Sequence, residues 1–256
     1  MNQISDFLQI KTKPASCDTH GGYESRVVFQ GRDREIWSMC PHCASEAQAA
    51  KQQEQAEKEA AERLRAWKAK LKFSGIPERF HGRTLESYRA ENPGQKAALE
   101  FAQQFAENFG AVKGKSAIFC GKPGTGKTHL AIGIGMQLME RNHLVAFTTI
   151  QRMVRRVKDS WRNGSEESES DVIKLLVEPD LLILDEIGVQ FGTEFERNLL
   201  FDILNERYEQ SKSAILLSNL TPTEVKVFLG ERVFDRLRED GGKAIAFDWE
   251  SHRGKA

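Results

Sequence analysis

The chain has 256 residues, and its 37 basic and 37 acidic side chains cancel, so net charge gives no hint of a polyanionic partner. That length suits one α/β domain of ordinary size with a small appendage, and no apolar stretch approaches the roughly 18 residues that a membrane span needs. The N-terminus, Met-Asn-Gln-Ile-Ser-Asp-Phe, lacks the basic-then-apolar layout of a signal peptide, so a cytoplasmic protein with no membrane partner is expected. In a reducing compartment the four cysteines read as ligands or core residues rather than disulfides.

Cys17-x-x-His20 and Cys40-x-x-Cys43 form two ligand pairs with 19 residues between them, and strand-like stretches at 23–30 and 35–39 fill that interval. This is zinc-ribbon spacing; a tetrahedral Zn²⁺ would stabilise a body of about 50 residues whose own core is too small. His42 competes as a ligand but lies inside the second knuckle, where it would crowd both cysteines. Cys120 stands alone in a strand and reads as core. Residues 51–72 turn to Ala, Gln, Glu, Lys and Arg, with acids early and bases late, and suggest a helical linker. Its only large apolar residues, Leu64, Trp67 and Leu71, make a narrow stripe that would pack weakly. Ser74-Gly75-Ile76-Pro77 ends that helix.

From there strands and helices alternate. Helices are expected at 94–109, 127–141, 150–162, 171–177 and 194–210, with two short ones within 222–239; strands are expected at 116–120, 144–149, 181–184, 214–218 and 244–247. Alternation of this kind gives a parallel sheet flanked by helices, with ligands at the carboxyl ends of the strands.

Residues 121–128 read Gly-Lys-Pro-Gly-Thr-Gly-Lys-Thr, a complete phosphate loop between a strand and a helix. Gly121, Pro123, Gly124, Thr125, Gly126 and His129 frame the nucleotide, Lys127 is expected on the β and γ oxygens, and Thr128 on Mg²⁺. The apolar strand 181–184 ends in Asp185-Glu186, 58 residues after Lys127. Asp185 suits the second Mg²⁺ contact, and Glu186 suits orientation of the attacking water, so hydrolysis is expected beyond binding. No Asn-Lys-x-Asp guanine signature occurs, which favours ATP. Asn219, at the tip of the next strand, is either a γ-phosphate contact or a turn residue. Arg232 and Arg236 lie one turn apart on a helix; Arg236 is either a solvated charge or an arginine offered to a neighbouring subunit's ATP. Arg253 follows the last strand and is either a γ-phosphate contact of its own chain or a solvated charge.

On the helix after strand 144–149, Met153, Val154, Val157 and Trp161 fall on one side, and Arg152, Arg155, Arg156 and Arg162 on the other. Asp159 is the only acid there. Such a face is either solvated or tracks the backbone of single-stranded DNA without sequence preference.

The phosphate loop, Leu-Leu-Ile-Leu-Asp-Glu-Ile-Gly-Val-Gln at 181–190, Leu-Ser-Asn-Leu at 217–220, Leu-Gly-Glu-Arg-Val-Phe-Asp-Arg-Leu at 229–237 and the ending Phe-Asp-Trp-Glu-Ser-His-Arg together resemble the DnaC/DnaI-type replicative helicase loaders of the AAA+ class, over about residues 73–254. The resemblance implies an AAA+ ATPase with Asn219 at the sensor 1 position, Arg236 as arginine finger and Arg253 as the sensor 2 arginine. It also implies a hexameric replicative DNA helicase as partner, bound through the N-terminal part, together with single-stranded DNA and self-association through the AAA+ domain. IstB-type transposition helper ATPases share much of that portion and would instead act on duplex DNA. The expected organisation is a helicase-binding zinc-ribbon module at 1–50, a linker at 51–72 and an AAA+ domain at 73–256, in a bacterial protein of cellular or phage origin that uses ATP, Mg²⁺ and Zn²⁺.

Overall fold

A computed structural model describes residues 11–31, 34–188 and 193–252. It divides into two compact units, Met1–Trp67 and Lys68–Ala256.

In the first unit β1 (Thr12–Cys17) pairs antiparallel with β2 (Gly21–Gln30), which pairs with β3 (Glu35–Trp37). The turn between β1 and β2 carries the first ligand pair. The second pair opens α1 (Pro41–Ser74), which begins about ten residues earlier than the composition of 51–72 suggests. Pro41 explains the early start: proline lacks only an N–H that the first helical turn would leave unpaired, and its φ is already helical. The helix ends at Ser74, where Gly75 takes φ +72°. The side chains of Leu64, Trp67 and Leu71 lie outside the described residues.

The second unit holds α2 (Pro93–Glu107), β4 (Ala117–Gly121), α3 (Lys127–Glu140), β5 (Val145–Thr149), α4 (Ile150–Ser160), α5 (Glu169–Val177), β6 (Leu181–Ile187), α6 (Glu194–Glu209), β7 (Ser213–Ser218), α7 (Pro222–Leu229), α8 (Glu231–Arg236) and β8 (Lys243–Phe247). The five strands form one parallel sheet in the order β5-β6-β7-β4-β8. β4, β6 and β7 are almost wholly buried, as expected of strands covered by helices on both faces. Four helices start sharply because capping boxes satisfy their first N–H groups: Asn92 with Gln95, Ser168 with Asp171, Thr193 with Glu196 and Thr221 with Glu224.

Arg207 is 1% exposed and crosses this core. Its guanidinium donates to the carbonyls of Leu176, Val177, Asp180 and Ser213, which pins the end of α5 and the start of β7 to α6. Burial pulls its pKa down to about 9.

Candidate functional site

The carboxyl ends of β4, β5, β6 and β7 meet at one cleft of 570 Å³, a volume suited to a nucleotide. The phosphate loop forms its floor. Gly121 runs at φ +124° so close to β8 that a Cβ would stand 2.4 Å from the Phe247 carbonyl oxygen. Gly126 caps α3 at φ +97°, and a Cβ there would meet the Tyr88 ring at 2.7 Å. No side chain fits either position. The chain after β8 ties the loop down: Trp249 Nε1 donates to Thr125 O at 2.9 Å, and the His252 N–H donates to Gly124 O at 3.0 Å.

Lys127 reaches across the loop, its ammonium 2.7 Å from both the Gly121 and Lys122 carbonyls. Thr128 donates to Asp185 Oδ2 at 3.0 Å, which links the first turn of α3 to the tip of β6. Burial raises the Asp185 pKa, against the lowering effects of the Glu186 N–H, the Thr128 hydroxyl and the charges of Lys127 and Arg79. Glu186 sits at φ +65°, where the β6–β7 register shifts between Leu184 and Ile187. A non-glycine residue held in that region stores strain of order 1 kcal/mol or more, and such strain clusters at working sites. Ser218 holds the shifted backbone by donating to Ile187 O at 2.6 Å, and Asn219 beside it lines the cleft.

Pro123, Gly124, Gly126, Lys127, Thr128, His129, Asp185, Glu186 and Asn219 therefore meet in one cleft. Gly121 and the fully buried Thr125 stand behind the loop and shape it. The His129 ring turns towards its own chain, bonded to Thr84 O at 2.9 Å and Ser87 Oγ at 3.1 Å. Thr128 and Asp185 are the oxygen donors that could hold Mg²⁺, and their approach to one another fits that ion.

Arg236 is not among the residues lining this cleft. It donates to Asn205 Oδ1 at 2.7 Å and stacks over Tyr208 at 4.6 Å. Arg253 lies outside the described residues. α4 ends at Ser160, short of Arg162, and the expected arginine face divides in two, which corrects its reading as one segregated surface. Arg152 and Arg155 line the cleft, whereas Arg156 is clamped by Glu167 with Nε 3.0 Å from Oε2, and Arg162 pairs with Asp159 at 3.1 Å. Glu167 arrives from the loop after α4, so periodicity within the helix could not reveal it. Trp161 is likewise 52% exposed rather than on the packed face: it donates to Glu169 at 2.7 Å and meets Phe195 edge-on. Sequence reasoning also missed Arg79 and Arg83, which enter the cleft from the irregular stretch after α1.

In the first unit, ligand atoms of Cys17, His20, Cys40 and Cys43 lie within 4.8 Å of one another. His20 Nδ1 is 3.3 Å from Cys43 Sγ, 3.8 Å from Cys40 Sγ and 3.9 Å from Cys17 Sγ, and Cys17 Sγ is 3.5 Å from Cys43 Sγ. Donors about 2.0–2.3 Å from a tetrahedral Zn²⁺ stand about 3.3–3.8 Å apart, so the donor set and its spacing fit that ion. Backbone N–H groups of His20 and Thr19 lower the Cys17 thiol to about 6, which favours the thiolate a metal takes. His20 Nε2 lies 3.4 Å from Glu46 Oε1, so the carboxylate holds the ring with Nδ1 towards the cysteines. His42 stacks beside His20 at 5.2 Å and is not part of the cluster.

A family model described as IstB-like ATP binding protein matches residues 50–241. The replicative helicase loader DnaC of Escherichia coli is 38% identical over 194 residues, which covers 75% of this chain and 78% of that one. DnaC of Buchnera aphidicola subsp. Baizongia pistaciae is 35% identical over 71% and 74% of the two chains. A crystal structure of the DnaC helicase loader superposes with a TM-score of 0.59 at 25% identity, over 66% of this chain and 99% of that one. A DnaI structure shares the fold, with a TM-score of 0.57 at 19% identity over 70% and 95%. The chain belongs to the IstB-like ATP-binding family, together with the replicative helicase loaders of the DnaC type.

Proposed function

We propose that this chain is an ATP-hydrolysing loader that places a hexameric replicative DNA helicase on single-stranded DNA as replication starts. The observation that carries the reading is the convergence of Lys127, Thr128, Asp185, Glu186 and Asn219 in one cleft, in a relative of DnaC. Lys127 and the loop N–H groups hold the β- and γ-phosphates, and Asn219 contacts the γ-phosphate or the attacking water. Glu186 orients that water in line with the bond that breaks. Thr128 and Asp185 would hold Mg²⁺, which would supply neutralisation of phosphate charge.

Arg236 stands outside its own cleft and is held rigidly by Asn205 and Tyr208, which suits an arginine offered to the ATP of a neighbouring copy. Arg253 takes the sensor 2 role from its own chain. Self-association is thereby part of hydrolysis.

The ribbon at 1–50 is the helicase-docking module, stapled by a structural Zn²⁺ on Cys17, His20, Cys40 and Cys43 and followed by the linker helix at 51–72 and the AAA+ domain at 73–256. Phe29 and Ile36, paired across β2 and β3, are 58% and 44% exposed; an exposed apolar pair on so small a unit supports docking there. Arg152 and Arg155, with Arg156 on the same helix and Arg162 just beyond its end once their surface ion pairs with Glu167 and Asp159 open, supply the single-stranded DNA contact. The protein works in the bacterial cytoplasm, and among the described residues no helix is long and apolar enough to cross a membrane.

The IstB-like family match favours a second reading, a transposition helper acting on duplex DNA. Binding to labelled single-stranded and duplex DNA of equal length, with the ATPase rate followed in parallel, separates the two. The loader reading expects single-stranded DNA to bind more tightly and to stimulate hydrolysis; a strong preference for duplex contradicts it.

A further inference from the structure

Several arginines of the second unit that lie away from the cleft are paired: Arg156 with Glu167, Arg162 with Asp159, Arg141 with the Ala106 carbonyl at 2.8 Å, and Arg207 with four core carbonyls. Arg79, Arg83, Arg152 and Arg155 line the cleft, and none of them has an ion-pairing carboxylate among the described residues. With Lys127 they place five positive charges around Asp185 and Glu186. Four arginines without a carboxylate partner beside a phosphate loop are organised for a polyanion.

Arg79 is the one that the fold carries to the reacting end. Gly75 packs so tightly on β5 that a Cβ would stand 2.6 Å from the Phe147 carbonyl oxygen, which fastens the start of the 75–80 stretch to that strand. Two residues beyond Phe147, Thr149 pairs in register with Asp185 of β6. The helical turn Glu78–Phe80, secured by Phe80 N–H to Pro77 O at 2.9 Å, then presents Arg79 with its guanidinium 4.6 Å from the centre of the Phe80 ring. Stacking on an aromatic face fixes the plane of the guanidinium and leaves its edge N–H groups free to donate.

We propose that Arg79 is a catalytic residue of the same chain, donating to the γ-phosphate oxygens of bound ATP. It works beside Lys127 and independently of the arginine expected from a neighbouring copy. Arg79 takes up and releases no proton. It stabilises charge on the equatorial oxygens while water attacks phosphorus and the bond to the β-phosphate oxygen breaks, with ADP as leaving group.

This inference rests on the ATPase reading above, so its test compares nucleotides. Fluorescent ADP and a fluorescent non-hydrolysable ATP analogue are titrated into the full chain and into Arg79→Ala and Arg79→Lys, and kcat and KM for ATP are measured on each. Arg79→Ala is expected to weaken the triphosphate analogue about tenfold and leave ADP within about twofold. It lowers kcat about a hundredfold; Arg79→Lys recovers affinity but little of kcat, because an ammonium replaces the charge without the planar fork. Arg79→Gln, which keeps a stem against Phe80, carries the same expectation as alanine if alanine costs the fold. Equal losses for ADP and analogue, or no loss, overturn the proposal while the ATPase reading stands. A parent chain that binds neither nucleotide overturns both.

Discussion

Thr128 and Asp185, 57 residues apart in the chain, are joined by a 3.0 Å hydrogen bond from the Thr128 hydroxyl to Asp185 Oδ2. That bond sets the first turn of α3 against the tip of β6 and brings together the two oxygens that would hold Mg²⁺ on the proposed ATPase reading. Asp185→Asn keeps the shape and removes the charge. It should lower Mg²⁺-dependent hydrolysis at least a hundredfold, with ADP binding in the absence of Mg²⁺ within about threefold of the parent. Steady-state kinetics and isothermal titration check both halves.

Arg236→Ala should leave nucleotide binding intact and cut hydrolysis by about 10³ at concentrations where the chain self-associates. Mixing it with Glu186→Gln is the sharper check. If Arg236 completes the site of a neighbouring copy, each variant lacks a different half of it, and the mixture should recover part of the activity that both lack alone. A mixture as inactive as its components would place Arg236 outside the reaction.

Zinc removal should act on one unit only. The parent should carry about one Zn²⁺ per chain by elemental analysis. Cys40→Ser, or a strong chelator, should unfold the β1–β2–β3 ribbon, since so small a body has little core of its own. ATP binding by the second unit should stay within about twofold. Far-ultraviolet circular dichroism with a nucleotide titration reads both.

Much of this was legible in the sequence because its signals are local. The phosphate loop, the buried run ending in Asp185-Glu186 and the ligand pairs Cys17/His20 and Cys40/Cys43 are short patterns whose chemistry follows from spacing. Most of the strands and helices of the second unit lie within a few residues of their expected bounds. What was hidden depends on partners far away in sequence. Glu167 clamps Arg156 from a loop, so the α4 arginines looked uniform when only two of them reach the cleft. Arg207 reads as one more helix-surface cation until the ends of α5 and β7 close over it. Arg79 and Arg83 sit in a stretch without periodicity, and only the Gly75 contact with β5 shows where it is anchored.

Arg207→Met should destabilise the second unit by about 3 kcal/mol, because it takes the guanidinium donor from the Leu176, Val177 and Ser213 carbonyls in the core, while the Asp180 carbonyl keeps the Ser213 N–H. Urea denaturation gives the value; a loss under about 0.5 kcal/mol would mean that the carbonyls find water or other donors.

Asp180 gives the chain an acid-sensitive joint. Burial raises its pKa, but the Leu144 N–H and the Lys212 ammonium, each 3.0 Å away, and the charge of His143 outweigh burial and leave it lowered. A carboxylate with a depressed folded-state pKa contributes stability above its unfolded value of about 3.9, and that contribution is lost as pH falls through the folded value. Asp180→Asn should therefore cost about 1 kcal/mol at pH 7, a modest figure because water screens this part-exposed group. The difference from the parent should shrink as pH falls below about 4. Urea melts of both chains from pH 3 to 7 test the sign.

Whether this chain loads a helicase is read from native mass spectrometry of the full chain mixed with its host's hexameric replicative helicase. With ATP the account expects several copies of the chain on each hexamer, one Zn²⁺ per copy, and release when ADP replaces ATP. No association in either nucleotide state would contradict the account for that helicase and shift the weight to action on duplex DNA.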